Sequence, residues 1–274
     1  ACRRRGPGKC LGPRWAYGRT ARGASLMRVF VTGAAGDIGS RLCPVLAGTG
    51  IEYTAMDRVR QDSEGLRGDM LDSAVGAWFE GHDALIHLAS VPGDATEEET
   101  FRSNVLGAWR VLSAASRSGI RRIVLTSSAP VHLDQSRAGL GDTPLATGTD
   151  DDRVYDVSKR LQESLAEDVA QHGVADGLTV LCLRLGHVVD PGAAADFEGR
   201  GLAELSYCRG GWVDVADATA ALVAALSVDA RPRFHLHHVI GDSAARARYK
   251  VAEAEAFLGI TFQERFDDYR GESE

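Results

Sequence analysis

Short apolar runs alternate with longer segments of helical periodicity from residue 27 onward. The runs predict strands at 28–32, 51–57, 84–90, 121–127, 178–185 and about 236–240. The periodic segments predict helices near 37–48, 71–79, 98–117, 153–173, 215–227 and 245–258. Such alternation predicts an α/β fold of the Rossmann type, a doubly wound parallel sheet with helices on both faces. Because no repeat or low-complexity linker divides the chain, we expect a single domain over 27–274.

Chemically distinctive residues fall where the predicted strands end. The segments 84–90 and 122–128 each contain a continuous apolar run, as in parallel strands that are covered on both faces. Ligands of doubly wound sheets bind outside the carboxyl ends of the strands. We therefore expect four residues to meet at one edge of the sheet: Gly33, Asp57, Ser90 and Ser128.

Three glycines at three-residue spacing separate the first strand from the first helix. Gly33 permits a tight turn, Gly36 lets the backbone approach a pyrophosphate, and Gly39 lets the helix pack closely on the strand. The helix N-terminus then offers free N–H groups to the anion. The spacing predicts a dinucleotide site, and an ordinary strand-to-helix turn is the alternative.

Asp57 ends the second predicted strand, 24 residues after the first glycine of that turn. A carboxylate there suits a ribose diol and repels a 2′-phosphate, so NAD is favoured over NADP. Arg58 and Arg60 follow directly and leave NADP open. Further along, Asp69 either lies near the adenine or caps a helix that starts near Leu71.

A serine, a tyrosine and a lysine supply the candidate chemistry. Ser128 closes the fourth predicted strand, whereas Tyr155 and Lys159 are four residues apart on a predicted helix and share one face. A tyrosine is a poor base near neutral pH until cations stabilise its phenolate. Lys159 and an oxidised nicotinamide would do so, and Ser128 would hold the same substrate oxygen.

The chain resembles the extended short-chain dehydrogenase/reductase family, also called the NAD-dependent epimerase/dehydratase family. The resemblance rests on motifs at 32–39, 57, 68–69, 87–90, 104–107, 126–129, 155–159 and 183–186. It implies a catalytic set of Ser128, Tyr155 and Lys159. With it we predict an NAD-binding set of Gly33, Gly36, Asp37, Ile38, Gly39, Asp57, Asp69, Met70, Leu88, Ala89, Ser90, Asn104, Tyr155 and Lys159. In the family, the residue matching Asn104 helps to order the helix and strand behind the site.

The substrate side is expected to come largely from residues 187–274. Only 88 residues follow Gly186, which looks more like the uronate dehydrogenase branch than like a nucleotide-sugar epimerase. We predict substrate contacts from Ser90, Ser128, His132 and His187. Arg200 and Arg209 could pair with a substrate carboxylate, although solvent-exposed roles are the alternative.

Charge content limits the expected binding partners, and cysteine content indicates the cellular compartment. The net charge is −7, but residues 1–27 hold seven basic and no acidic residues, leaving 24 basic against 38 acidic residues, or −14, for the rest. A body this acidic is a poor partner for nucleic acid or an anionic membrane. The five cysteines are scattered, which favours free thiols and a cytoplasmic location.

The basic segment 1–26 lacks apolar periodicity, and we expect a disordered extension. The first methionine, Met27, directly precedes the first strand, so native translation starting there is one interpretation and an organelle transit peptide is another.

The sequence disfavours two other kinds of chemistry, metal binding and serine hydrolysis. His235, His237 and His238 lie close together, yet no carboxylate completes a metal site and we expect none. A serine hydrolase is disfavoured because no G-x-S-x-G motif occurs. We predict an NAD-dependent dehydrogenase that oxidises a secondary alcohol of a sugar or sugar acid. The alternatives are an epimerase or dehydratase with internal hydride return and a non-catalytic dinucleotide sensor.

We also expect a homodimer through the helices near 98–117 and 153–173, which the family resemblance implies. Leu161, Leu165 and Val169 recur at four-residue steps beside Ala166 and Ala170 and form an apolar stripe. The alternative is that this stripe faces the protein's own sheet.

Overall fold

The computed structural model describes residues 27–59, 65–91, 95–129, 150–202, 211–231, 233–246, 249–263 and 266. The predicted extension 1–26, together with His132 and Arg209, lies outside these residues. In the described part the strands are β1 (Arg28–Thr32), β2 (Glu52–Asp57), β3 (Leu66–Arg67), β4 (Ala84–His87), β5 (Arg122–Ser128), β6 (Thr179–Leu185), β7 (His187–Asp190), β8 (Ala195–Asp196), β9 (Trp212–Asp214) and β10 (Phe234–Val239).

Seven of these strands form a parallel sheet in the order β10-β6-β5-β4-β1-β2-β3. The chain moves outward from β1 to β3 and then crosses back to β4 on the other side of β1. The order therefore reverses between β1 and β4, which is where ligands bind in doubly wound sheets. The predicted α/β fold is confirmed.

The helices cover both faces of this sheet. They are α1 (Gly39–Thr49), α2 (Glu97–Thr100), α3 (Ala108–Arg117), α4 (Asp150–His172), α5 (Val215–Ser227), α6 (Ser243–Arg246) and α7 (Val251–Leu258), with a 3₁₀ helix at Ser73–Phe79 and a π-helical segment at Phe101–Gly107. Along β1, Val29 and Val31 pack into one buried core with α1, α5 and α7, whereas Phe30 packs into a second core with α3 and α4. Successive strand residues point to opposite faces, so a buried strand needs apolar residues at every position.

Several predicted elements differ from the observed ones. The helix predicted over 98–117 is three segments, α2, the π-helical segment and α3, and the helix predicted over 245–258 divides into α6 and α7. The strand predicted over 84–90 ends at His87, because the chain leaves the sheet and Leu88–Ser90 turn into a cleft. Apolar composition alone does not distinguish a strand from such a loop.

A second, small sheet follows β6 and was missed by the sequence analysis. Its order is β8-β7-β9, and it encloses a cluster that includes Trp212 and Phe266, whose rings meet edge to face at 5.6 Å. Gly186 joins the two sheets, and a Cβ there would lie 2.7 Å from the Gly211 carbonyl oxygen. Asp214 caps α5 by accepting a hydrogen bond from the Ala216 N–H.

The apolar stripe predicted on α4 divides between two environments. Ala166 and Val169 are buried in the protein's own core, whereas the Leu161 side chain is 40% exposed. On the adjoining helical segments Phe101 and Trp109 are exposed to a similar extent. Of the predicted stripe, Leu161 is therefore accessible, whereas Ala166 and Val169 are not.

Cys43 and Cys182, the cysteines within the described residues, are free thiols. In the same residues, none of the helices combines the length and the apolar character that a bilayer span requires. The cytoplasmic location stays a prediction.

The close packing of Gly39 at the glycine turn can be tested by substitution. A Cβ at Gly39 would lie 2.2 Å from the Gly33 carbonyl oxygen, a backbone atom that has no room to move aside, whereas a Cβ at Gly48 in the same helix meets nothing within 4 Å. We expect Gly39→Ala to lower the free energy of unfolding by about 1–3 kcal/mol. Gly48→Ala, the matched control, should raise it by up to about 1 kcal/mol. Urea unfolding measures both, and equal effects of the two changes would contradict this packing.

Candidate active site

Two adjoining clefts run along the carboxyl edge of the parallel sheet. The first, about 660 Å³, lies over β2 and β4, and the second, about 620 Å³, lies over β5 and the start of α4. They share Gly33, Gly36, Leu88 and Ser90. The predicted site residues on their walls are, in the first cleft, Gly33, Gly36, Asp57, Asp69, Met70, Leu88, Ala89 and Ser90, and, in the second, Gly33, Gly36, Asp37, Ile38, Gly39, Leu88, Ser90, Ser128, Tyr155, Lys159 and His187.

The glycine turn brings backbone to the floor of both clefts. Gly33 has φ of 72°, and a Cβ there would lie 2.6 Å from the Ala89 backbone nitrogen. The first residues of α1 receive no side-chain cap, so backbone N–H groups at this helix terminus remain for a ligand. A turn that excludes Cβ atoms and leads into an uncapped helix fits the pyrophosphate of a dinucleotide.

Asp57 is fixed at the far end of the first cleft. One carboxylate oxygen accepts the Ala35 N–H at 2.9 Å and the other accepts the Val59 N–H at 3.0 Å. These bonds hold an anion beside the glycine turn, a placement that fits a ribose diol better than a 2′-phosphate. Arg58 also lines this cleft.

Asp69 and Met70 also line the first cleft. The Asp69 carboxylate accepts the Leu71 N–H at 2.9 Å, but the residue that caps the following 3₁₀ helix is Asp72. Of the two roles left open for Asp69, the structure therefore gives the helix cap to Asp72 and leaves Asp69 on the cleft wall.

Ser128, Tyr155 and Lys159 line the second cleft together. The Lys159 ammonium is buried, lies 5.7 Å from the centroid of the Tyr155 ring, and donates to the Thr126 carbonyl at 3.2 Å and to Gln162 Oε1 at 3.1 Å. Burial lowers the pKa of Lys159 to about 8, although Cys182 and Glu163 oppose the shift. Burial, with Asp156, raises the pKa of Tyr155, so the phenol stays protonated in the protein by itself.

Two buried polar groups behind Lys159 were not predicted. Glu163 and Arg184 form a buried pair with Nε and Nη2 of the arginine 2.9 and 2.8 Å from the two carboxylate oxygens. Glu163 lies one turn beyond Lys159, and Arg184 interrupts an apolar strand. Both positions indicate a buried ion pair in the sequence, because a buried charge needs a partner.

His87 lies beneath Lys159. Its Nδ1 is 2.7 Å from Thr32 Oγ1, and burial, followed by the Lys159 charge, lowers its pKa to about 3. The ring is therefore neutral near pH 7 and does not repel the ammonium.

Asn104 is buried behind the clefts and lines neither of them. Its Oδ1 accepts the Val91 N–H at 2.9 Å, and its Nδ2 donates to Ser158 Oγ at 3.1 Å. Asn104 thus joins the loop after β4 to the turn of α4 that carries Lys159. This is the ordering role that the resemblance implies, and not a direct contact with a cofactor.

His187 enters the second cleft from the small sheet. Its Nε2 is 3.4 Å from Oδ2 of the buried Asp196, which also accepts Arg200 Nε at 2.7 Å. Burial raises the pKa of Asp196, but hydrogen bonds from Arg200 and His187 outweigh it and leave the pKa lowered. The sequence analysis left Arg200 a substrate carboxylate or solvent as its partner, whereas the structure pairs it with Asp196.

The clustered histidines of β10 make ring contacts. His237 stacks on Phe257 at 4.1 Å, and His235 lies 5.2 Å from the same ring. In the described ranges no group of three His, Cys, Asp or Glu side chains is placed to hold a metal ion.

Comparison with known proteins adds a family and three relatives. The profile of the NAD-dependent epimerase/dehydratase family matches residues 29–208, a span that contains both clefts' key residues from Gly33 to His187. L-arabinose 1-dehydrogenase (NAD(P)(+)) of Haloferax volcanii is 29% identical over 212 residues, which cover 70% of this chain and 79% of that protein. Several other curated relatives are matched over less than half of their length.

Two solved structures share the fold and 25% of the aligned sequence. MoeE5, in complex with UDP-glucuronic acid and NAD, has a TM-score of 0.67 and covers 86% of this chain and 94% of its own. A mutated uronate dehydrogenase has a TM-score of 0.65, with 90% and 85% covered.

The buried ammonium makes stability depend on pH in a defined direction. Because the folded-state pKa of Lys159 is about 8 and its ordinary value is 10.5, the unfolded chain binds the proton more tightly between these two values. Stability should therefore rise with pH across this window, by up to about 3 kcal/mol. Lys159→Met should lack this rise, as urea unfolding at pH 7 and pH 10 will show. Lys250→Met, at an exposed lysine, is the matched control, and parallel pH curves for wild type and Lys159→Met would contradict the prediction.

Proposed function

The chain belongs to the NAD-dependent epimerase/dehydratase family, and we propose that it is a dehydrogenase that oxidises a secondary alcohol of a sugar or sugar acid. The observation that carries the proposal is the convergence of Ser128, Tyr155 and Lys159 on one cleft that adjoins the glycine turn. Relatives named as arabinose dehydrogenase and uronate dehydrogenase support the substrate class.

NAD, when bound, supplies the hydride acceptor, and the glycine turn with Asp57 would hold its pyrophosphate and adenosine ribose. Tyr155 Oη would take the hydroxyl proton of the substrate while the Ser128 hydroxyl holds the same oxygen. Since burial raises the pKa of Tyr155, the phenolate needs nearby positive charge. Lys159, one turn away, and the oxidised cofactor would provide that charge.

Asp57 is the residue from which we infer a preference for NAD over NADP. Its carboxylate is held by two backbone N–H groups and cannot withdraw from a 2′-phosphate without losing them. Ser90, Ser128 and His187 are the proposed substrate contacts on the walls of the second cleft. His132 remains a prediction from the sequence.

The test of function is a panel of aldoses, uronates and UDP-sugars incubated with NAD and followed by NADH absorbance. We expect net NADH from a free sugar or sugar acid. Interconversion of a UDP-sugar without net NADH would instead identify an epimerase or dehydratase. NAD binding without turnover of any member would indicate a sensor.

With a substrate in hand, Tyr155→Phe should lower kcat by ~10²–10⁴-fold, the usual contribution of a placed proton acceptor. NAD affinity, measured by calorimetry, should change little because the phenol is not needed to hold the cofactor. Tyr53→Phe, which removes a phenol from β2 outside the second cleft, is the matched control. Retention of more than about a tenth of kcat in Tyr155→Phe would show that another group takes the proton.

We further propose a homodimer that buries the exposed apolar side chains Phe101, Trp109 and Leu161. Each is about 40% exposed although large and apolar. They lie on α4 and on the helical segments that pack beside it. Exposed apolar patches are typical of protein interfaces, and exposed apolar side chains on adjoining helical segments support one here.

Light scattering at micromolar concentration should give twice the formula mass of 29.2 kDa. Leu161→Glu should yield a folded monomer, because a charge would be buried in the contact. Val45→Glu, at a similarly exposed apolar residue on α1 and the opposite face of the sheet, should remain a dimer. A monomeric wild type would refute the proposal.

A further inference from the structure

His187 and Val188 of β7 line the second cleft, and the loop between β7 and β9 contacts His187 through Asp196. In the described part of that loop, Asp196 is the central residue, with its side chain 1% exposed. Its Oδ1 accepts the backbone N–H groups of Glu198 at 3.0 Å and Arg200 at 2.9 Å, and its Oδ2 accepts Arg200 Nη2 at 2.6 Å. Arg200 also lies 3.3 Å from Glu198. The guanidinium is thus shared by two carboxylates of its own loop.

The same carboxylate fixes the proton of His187. A carboxylate only accepts hydrogen bonds, so the ring nitrogen that faces Asp196, Nε2, must carry a hydrogen. In the neutral ring Nδ1 is then an acceptor, and among the described residues it makes no hydrogen bond. The ring lines the cleft beside Ser128 and Tyr155, and its side chain is 29% exposed. An acceptor placed there is complementary to a hydroxyl group and not to a carboxylate.

The charges around the cleft also disfavour a substrate carboxylate. Asp37 and Asp156 lie on its wall, and Lys159, the cation on that wall within the described ranges, is buried and bonded to Thr126 and Gln162. A substrate carboxylate would meet these two like charges, whereas Arg200 does not line the cleft and is paired with Asp196. Like charges at close range disfavour binding.

We propose that His187, oriented by Asp196, accepts a hydrogen bond from a sugar hydroxyl and that the cleft selects a neutral aldose over the corresponding uronate. This inference rests on the proposed function and names the substrate class of the same site. Oxidation at the anomeric carbon then moves hydride from C1 to NAD and the hydroxyl proton to Tyr155, and the C1–O bond becomes the lactone carbonyl. The products are one lactone, one NADH and one proton.

The experiment compares sugars that differ only at C6, D-galactose with D-galacturonate and D-glucose with D-glucuronate. Calorimetry on the full chain with bound NADH measures binding apart from turnover, and NADH formation from NAD measures kcat/KM. We expect at least one aldose to bind about tenfold or more tightly than its uronate. His187→Leu should weaken aldose binding by about five- to tenfold, the value of one hydrogen bond, and leave uronate binding unchanged.

His187→Gln, which keeps an acceptor, should restore aldose binding in part, a result that a merely structural role would not give. His172→Gln, at an exposed histidine at the end of α4, is the matched control. Equal or tighter uronate binding would overturn the inference, as would an equal loss for both sugars in His187→Leu. Selective aldose binding without oxidation would support the inference while refuting the proposed dehydrogenase. If neither sugar binds, both fail.

Discussion

The burial of the Lys159 ammonium is the constraint on which the arrangement of the active site depends. A cation removed from water needs hydrogen-bond acceptors in fixed places. The Thr126 carbonyl and Gln162 supply them, Glu163 lies one turn further along α4, and His87 beneath is kept neutral by its own burial. The site therefore holds the Lys159 charge in place at a cost in folding stability, which is the common compromise at functional sites.

Much of this fold could be predicted because local patterns and global architecture agree. The apolar runs of β1, β4 and β5 indicate parallel strands, and the carboxyl ends of such strands necessarily meet at one edge. That rule predicts that Gly33, Asp57 and Ser128 meet at one edge, and the structure has them in adjoining clefts. The helical spacing of four likewise placed Tyr155 and Lys159 on one face.

The remaining features depend on contacts between residues that no local pattern connects. Arg184 and Glu163 are on different elements, and only packing of α4 on β6 brings them together. The small sheet was missed because β7, β8 and β9 are each too short for a period-two pattern to emerge. For Arg200 the sequence left a substrate carboxylate or solvent as the partner, because it does not show that the Asp196 loop turns back on itself.

The π-helical segment Phe101–Gly107 determines how α3 is rotated about the helix axis relative to Asn104. Its wider turns hold Asn104 against Val91 and Ser158, while α3 directs its own apolar face onto the sheet. Loss of a single residue would restore α geometry and rotate one of these surfaces by about 100° relative to the other. The chain can therefore keep the Asn104 link or the buried face of α3 in a shortened helix, but not both. Length, as well as residue identity, is constrained at this point of the sequence.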